Sequence, residues 1–200
     1  MGLPKSGTTF LQRSLAANAE ALGDRGVLYP AGHDEMFRAA LDVRGSHKAW
    51  GRRRSDVEGA WDDLCVRARS HTGTTLLSHE LLAGACRRQV VAATTMLKDL
   101  DVHVVVTARD LARQLVAEWQ EGVKHGRRVT FAEYHERVSR GDGALARHFH
   151  AAQDLPAVLA RWGHDLPADH VHVVVGEPSG ADPAVLWTCL LYTSDAADEL

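Results

Sequence analysis

Apolar residues along this chain follow two alternating patterns. Short, mostly β-branched or apolar runs predict strands at 26–30, 74–78, 101–107 and 170–175. Between and around them, apolar residues recur every three or four positions, as in amphipathic helices. This spacing predicts helices at 8–22, 34–41, 57–70, 81–100 with a break after Gly84, 111–124, 131–139 and 144–162. The run at 101–107 is continuous enough for a strand that is buried on both faces.

The alternation of strands and helices predicts an α/β fold, a P-loop-like parallel sheet with helices on both faces. We expect one domain over residues 1–188, truncated at both ends. A glycine-rich loop begins at Gly2, where a buried strand normally precedes such a loop. Residues 189–200 resemble a translated sequencing adapter and are interpreted as a non-native tail; the alternative is a genuine acidic C-terminus.

Composition excludes several classes of protein. The net charge of -3 provides no basic field for nucleic acid, and no apolar run approaches the ~20 residues of a membrane helix. The three cysteines have no close spacing, which favours a reducing, cytoplasmic setting over a disulfide framework. His170 and His172 would share one face of a strand, but without a third nearby ligand no metal site is predicted.

The segment from Gly2 to Thr9, Gly-Leu-Pro-Lys-Ser-Gly-Thr-Thr, is the most informative motif. Its two glycines have the spacing of the nucleotide-binding loop G-x-x-x-x-G-K-[ST], and Thr9 occupies the Ser/Thr position. Thr8 stands where that loop has its lysine, and Lys5 lies inside the loop instead. Backbone N–H groups and a helix N-terminus would still bind an anion here, with the cation in a different place.

The hexapeptide Pro-Lys-Ser-Gly-Thr-Thr resembles the 5′-phosphosulfate-binding loop of the sulfotransferases that use 3′-phosphoadenosine 5′-phosphosulfate. The resemblance implies this nucleotide as cosubstrate and no metal. It implies that Lys5 contacts the 5′-phosphate and the bridging oxygen. Hydrogen bonds to the 5′-phosphate would then come from Ser6, Gly7, Thr8 and Thr9.

Two further segments follow predicted strands. In the sulfotransferases an arginine at the position of Arg109 binds the 3′-phosphate, although the serine usually found eight residues later is Ala117 here. Ser78, His79 and Glu80 follow the strand at 74–78, and a Ser-x-Glu there resembles the carbohydrate-sulfotransferase branch. We expect Glu80 to act as the base, with His79 as the second candidate. The alternative is that Ser78 or Glu80 caps the next helix.

These features predict transfer of a sulfuryl group to a hydroxyl or amine of a small-molecule or carbohydrate acceptor, which the sequence leaves unidentified. One alternative is a P-loop nucleotide kinase or NTPase. That enzyme would need a lysine at position 8 and an aspartate for magnesium, and Asp110 lies one position too late. The other alternative is a catalytically inactive nucleotide-binding fragment.

Overall fold

The computed structural model describes residues 1–30, 32–176, 185 and 188, so the predicted tail lies outside the described residues. The helices of this part are α1 (Thr8–Ala17), α2 (Ala19–Gly23), α3 (His33–Arg44), α4 (Ala60–Ser70), α5 (Arg87–Thr95), α6 (Leu111–Lys124), α7 (Phe131–Arg140), α8 (Gly143–Gln153) and α9 (Leu155–Trp162). The strands are β1 (Val27–Leu28), β2 (Thr74–Thr75), β3 (Val104–Ala108) and β4 (Val171–Val175). Short 3₁₀ turns lie at His47–Trp50, Arg54–Asp56, Glu80–Gly84 and Ala168–His170.

The strands pair in parallel, as the alternation of elements predicts. β1 pairs with β2 and β3 with β4, so the described residues form two separate two-stranded sheets rather than one sheet. β1 and β2 have two residues each, which leaves few backbone groups to extend the ladder. Residues 1–3 add to β3: Gly2 bridges Thr107 in parallel, and the Leu3 N–H donates to the Thr107 carbonyl at 2.9 Å. The chain therefore does enter the glycine loop from a strand-like segment.

Two long helices of the prediction are divided in the structure. The helix expected at 8–22 is interrupted at Asn18, and the one expected at 144–162 is interrupted at Asp154. The Asp154 carboxylate accepts a hydrogen bond from the Ala157 N–H and caps α9, with Pro156 in the first turn. Proline is tolerated at a helix start and not in an interior, which explains the break.

The main core lies between α3, α4, α5, α9 and β3. Its fully buried side chains include Met36, Leu64, Val106 and Val158. The apolar face predicted on α4, which includes Leu64, is buried as expected. None of the helices in the described part combines the length and the apolar character that spanning a membrane requires.

The two indole rings of the core are buried, and each donates a hydrogen bond from its N–H group. Trp61 donates its Nε1–H to the Ala93 carbonyl at 3.2 Å, and Trp162 donates to the Leu82 carbonyl at 3.1 Å. A buried indole without such a partner would lose the hydration of its N–H group. These bonds fix α4 to α5 and α9 to the turn that follows Ser78.

We expect Leu64→Ala to lower the free energy of unfolding by about 2–5 kcal/mol, because Leu64 is fully buried and the change leaves a cavity. Val66 lies on the same helix and is 57% exposed, so Val66→Ala is the matched control, with an expected change within about 0.5 kcal/mol. Urea unfolding followed by circular dichroism measures both. Equal losses in the two variants would contradict this description of the core.

Candidate functional site

The glycine loop is held against the end of β3 by buried hydrogen bonds. Ser6 is 4% exposed, and its Oγ donates to the Leu3 carbonyl at 2.7 Å and shares a hydrogen bond with Thr107 Oγ1 at 2.8 Å. Gly2 is required at the entry, because a Cβ there would overlap the side chains of Thr107 and Thr8. Ser6, predicted to bind phosphate, therefore has its hydroxyl committed to the fold, and its contribution to a ligand is limited to the backbone.

A second contact holds the other side of the loop. The side-chain amides of Gln114 on α6 and Gln153 on α8 both donate to the Pro4 carbonyl, at 2.8 and 2.9 Å. The two glutamines also join each other, with Gln114 Nε2 3.1 Å from Gln153 Oε1. Both are buried. Because buried polar side chains are costly unless paired, this network strongly favours one position of the loop.

The backbone of the loop turns so that α1 starts at its end. Lys5 has φ 66° and Gly7 has φ 93°, both in the left-handed region. Gly7 is the N-cap of α1 and offers no side-chain cap. The N–H groups of the first helical turn lack partners within the helix and carry partial positive charge. Thr8 and Thr9, two of the predicted phosphate ligands, lie in that turn.

The Lys5 ammonium contacts α6. Its Nζ lies 2.9 Å from Glu121 Oε2, and both side chains are about one third exposed. Glu121 also lies 3.4 Å from Lys124 Nζ and 3.2 Å from His125 Nε2. The hydrogen bond from Lys5 is the main cause that lowers the pKa of Glu121 to about 2. Sequence inspection did not find Glu121, because nothing local to α6 indicates that Lys5 packs beside it.

His79 is a capping residue in this structure. It is 3% exposed, packs beside the rings of His33 and Phe37, and accepts a hydrogen bond from the Leu81 N–H on Nδ1 at 3.2 Å. Burial is the main cause that lowers the pKa of His79, which favours the neutral ring. A neutral ring that accepts on Nδ1 has its proton on Nε2 and no lone pair left to act as a base. The cap predicted for Ser78 or Glu80 is therefore supplied by His79.

Glu80 lies beside the helix that the glycine loop opens. Gln12 on α1 places its Nε2 3.4 Å from Glu80 Oε2 and donates to the Ser78 carbonyl at 3.3 Å. Gln12 is one helical turn beyond Thr8, about 6 Å along the axis. The structure thus brings the Glu80 carboxylate, far from the loop in sequence, to the first turns of α1.

Arg109 follows β3 and borders a cavity of about 310 Å³. Its Nε is buried and has no hydrogen-bond partner in the described part of the chain. Gln153, which holds the glycine loop at Pro4, lines the same cavity, so the cavity adjoins the loop. The other lining residues are Leu3, Ala108, Leu111, Phe149, His150, Asp154, Leu155 and Pro156. Most of this lining is apolar and it includes an aspartate, and both features oppose binding of an anion.

No protein family, curated protein or solved structure matches this chain. A functional proposal therefore depends on the glycine loop, Glu80 and Arg109 themselves. The glycine loop and Arg109 follow the carboxyl ends of the segment at residues 1–3 and of β3, where parallel sheets bind ligands, whereas Glu80 follows β2 of the other sheet.

The Lys5–Glu121 contact predicts an acidic titration that depends on Lys5. In the parent chain we expect the Glu121 carboxyl to titrate near pH 2, by carbon-13 NMR of its Cδ. Lys5→Met removes the largest cause and should move the midpoint up toward 4.5. Because the folded pKa is lowered, the pair stabilises the fold above about pH 4.5 and loses that effect as the pH falls through 2.

Lys98→Met is the matched control, since Lys98 is an exposed lysine that has no contact with Glu121. It should leave the Glu121 midpoint unchanged. A midpoint that stays near 2 in Lys5→Met would show that Lys124, rather than Lys5, sets this pKa.

Proposed function

We propose that this chain forms the nucleotide-binding and catalytic part of a sulfotransferase with a P-loop-like fold. It would transfer a sulfuryl group from 3′-phosphoadenosine 5′-phosphosulfate to a hydroxyl or amine of a carbohydrate or small molecule. The observation that carries this proposal is the conformation of Lys5 in a loop that is otherwise suited to an anion.

Lys5 is the one residue other than glycine with positive φ among those that the structure describes. The left-handed region costs a residue with a Cβ roughly 1–2 kcal/mol, and glycine occupies it without that cost. Glycines occupy eight other positions with positive φ in the described chain. The fold thus has the unstrained residue at the positions where no side chain is needed. A strained lysine in an anion-binding loop indicates that its ammonium serves the ligand.

The proposed binding step uses the loop as a positive cradle. The N–H groups of Gly7, Thr8 and Thr9 would bind the 5′-phosphate, and the Lys5 ammonium would leave Glu121 to contact the phosphate and the bridging oxygen. Its ion pair is about one third exposed, so solvent screens it in part. A phosphate dianion carries more charge than the single Glu121 carboxylate and would compete with it for Lys5.

The proposed transfer is an in-line displacement at sulfur. The acceptor oxygen or nitrogen forms a bond to sulfur as the bond from sulfur to the bridging oxygen breaks, and adenosine 3′,5′-bisphosphate leaves. Lys5 would stabilise the negative charge that develops on the bridging oxygen. Glu80 would take the proton of the acceptor, because His79 uses its free lone pair to cap the turn.

Arg109 would bind the 3′-phosphate through its guanidinium group. Its buried Nε, which has no hydrogen-bond partner among the described residues, and its place beside the loop support this role, and Ala117 gives no hydroxyl to assist it. We expect Ala117→Ser to add one neutral hydrogen bond, about 0.5–1.5 kcal/mol, and so to tighten binding of the bisphosphate by up to about tenfold. Calorimetry that shows weaker binding would mean that α6 does not face this phosphate.

The kinase alternative receives less support from the geometry. Asp110, its nearest candidate for a magnesium ligand, caps α6: it accepts from the Arg113 N–H at 2.9 Å and pairs with Arg113 Nε at 3.4 Å. The inactive-fragment alternative predicts binding of nucleotide with no transfer.

Calorimetry together with a transfer assay on the 200-residue chain separates the sulfotransferase, the kinase and the inactive fragment. The proposal predicts binding of adenosine 3′,5′-bisphosphate in the absence of magnesium, and transfer from the sulfated nucleotide to a panel of hydroxyl and amine acceptors. Binding of ATP that requires magnesium, without binding of the bisphosphate, would favour the kinase. Failure to bind either nucleotide would overturn the proposal.

Lys5→Gly tests the observation on which the proposal depends, the left-handed backbone conformation of Lys5. We expect its unfolding free energy to stay within about 1 kcal/mol of the parent, since glycine relieves the strain while the exposed ion pair is lost. The parent should prefer adenosine 3′,5′-bisphosphate to adenosine 3′-phosphate, and the variant should lose most of that preference. A charge-assisted hydrogen bond is worth about 1.5–3 kcal/mol, or roughly 10–150-fold.

Lys98→Ala is the control and should keep the preference of the parent. If Lys5→Gly also keeps it, Lys5 does not contact the 5′-phosphate and the strain has another cause.

Glu80→Gln tests the base. The amide keeps the size of the side chain and an oxygen for Gln12, so binding of the bisphosphate should not change. Transfer should fall about 10²–10⁴-fold, the usual contribution of a general base. Glu20→Gln, at an exposed position of α2, is the control. Full turnover in Glu80→Gln would exclude Glu80 as the base.

A further inference from the structure

Imidazole and carboxylate groups cluster at the end of β3 opposite to the glycine loop. One nitrogen or oxygen atom from each of Asp101, His103 and His170 lies within 4.8 Å of the others. His170 Nδ1 is 3.3 Å from Asp101 Oδ1, and His103 Nε2 is 3.7 Å from Asp101 Oδ2. His170 Nδ1 also lies 3.2 Å from the Val102 carbonyl, which only accepts, so an ion bound at this nitrogen would displace the proton of that hydrogen bond. The rings of His103 and His170 stack with centroids 4.1 Å apart. A fourth group, His172, contacts the far side of His103, with its Nε2 3.0 Å from His103 Nδ1.

The strand register explains why these residues meet. Val104 pairs with Val171 and Val105 with His172, so His103 and His170 are neighbours just before the first paired rung. Side chains two residues apart on a strand share a face, and neighbours in a parallel ladder point the same way. Asp101 and His103, just before β3, therefore lie beside His170, just before β4, and His172 in β4.

We propose that Asp101, His103 and His170 form a binding site for a borderline transition-metal ion, Zn²⁺ in particular. Imidazole nitrogens and a carboxylate oxygen are the donors this ion takes, with bonds of about 2.0–2.2 Å. Three protein ligands leave the fourth tetrahedral position to water. The atoms need to close only to roughly 3.4 Å from one another for tetrahedral bonding at such distances.

His172 is a positioning residue in this proposal. Metal-bound histidines almost always donate their second ring N–H to a neighbouring acceptor, which fixes the tautomer. In the proposed bound state His103 Nδ1–H would donate to His172 Nε2, which lies 3.0 Å away, and the lone pair of His103 Nε2, the nitrogen nearer Asp101, would be left for the ion.

The site is open to solvent and distinct from the glycine loop. The Asp101 side chain is 76% exposed, His103 39% and His170 24%, so an ion from solution can enter. An ion there would join the segment before β3 to the turn at Ala168–His170 before β4. It would therefore connect β3 and β4, the strands of the longer sheet, just before their first paired residues.

The test uses the 200-residue chain without an affinity tag, treated with a chelator and then titrated with Zn²⁺ against a chromophoric chelator. One tight ion per chain is expected. His103→Ala and His170→Ala should each weaken it by more than about 100-fold, beyond the 10–100-fold that outer partners usually cost. His148→Ala removes an exposed histidine on α8 and should leave the affinity unchanged. Equal affinity in all three variants would overturn the proposal.

Two further measurements separate a built site from a surface contact. His172→Ala should weaken Zn²⁺ binding about 10–100-fold, and His172→Gln, which keeps an acceptor for His103, should restore most of it. Co²⁺ bound in place of Zn²⁺ should show the intense visible bands of a tetrahedral site with nitrogen and oxygen ligands. A thiolate-to-cobalt charge-transfer band would instead place the ion at a cysteine and refute the assignment. Circular dichroism of each variant confirms that it remains folded.

Discussion

The hydrogen bonds at Thr107 are the contact on which the other features depend. The backbone of Thr107 joins residues 1–3 to β3, and its hydroxyl meets the Ser6 hydroxyl below the glycine loop. The next buried residue on the same strand, Val106, lies in the main core. These hydrogen bonds therefore attach the glycine loop to a strand that is itself packed in the core. Gly2, where no side chain fits between Thr107 and Thr8, shows how close this contact is.

Much of the fold could be predicted from the sequence because it depends on local patterns. The apolar spacing on α4 and the bounds of α6 follow from side chains within one helix. The breaks at Asn18 and Asp154 were missed because apolar spacing continues through them while a cap or a proline ends the helix. The predicted single P-loop-like sheet is not confirmed, since the described residues form two separate two-stranded sheets. Strand pairing depends on long-range register, which no local pattern specifies.

The candidate site divides in the same way. The loop at residues 2–9 has a local motif, and the structure places it at the start of a helix as predicted. The partners of its side chains lie far away along the chain: Glu121 for Lys5, Thr107 for Ser6 and Gln12 for Glu80. Our proposal prefers Glu80 to His79 because of a contact that the sequence does not show, the hydrogen bond from the Leu81 N–H to His79 Nδ1.

The Lys5–Glu121 pair gives the proposed site a defined resting state. A lysine that is free in a loop loses side-chain entropy when it binds a ligand, by up to about 2 kcal/mol. Glu121 already holds the ammonium beside the loop, so part of that loss occurs on folding. The pair is partly exposed, and Glu121 would keep Lys124 and His125 as neighbours if Lys5 moved to a ligand. In the proposed binding step, a dianion would therefore replace one carboxylate at Lys5 without leaving Glu121 on α6 unpaired.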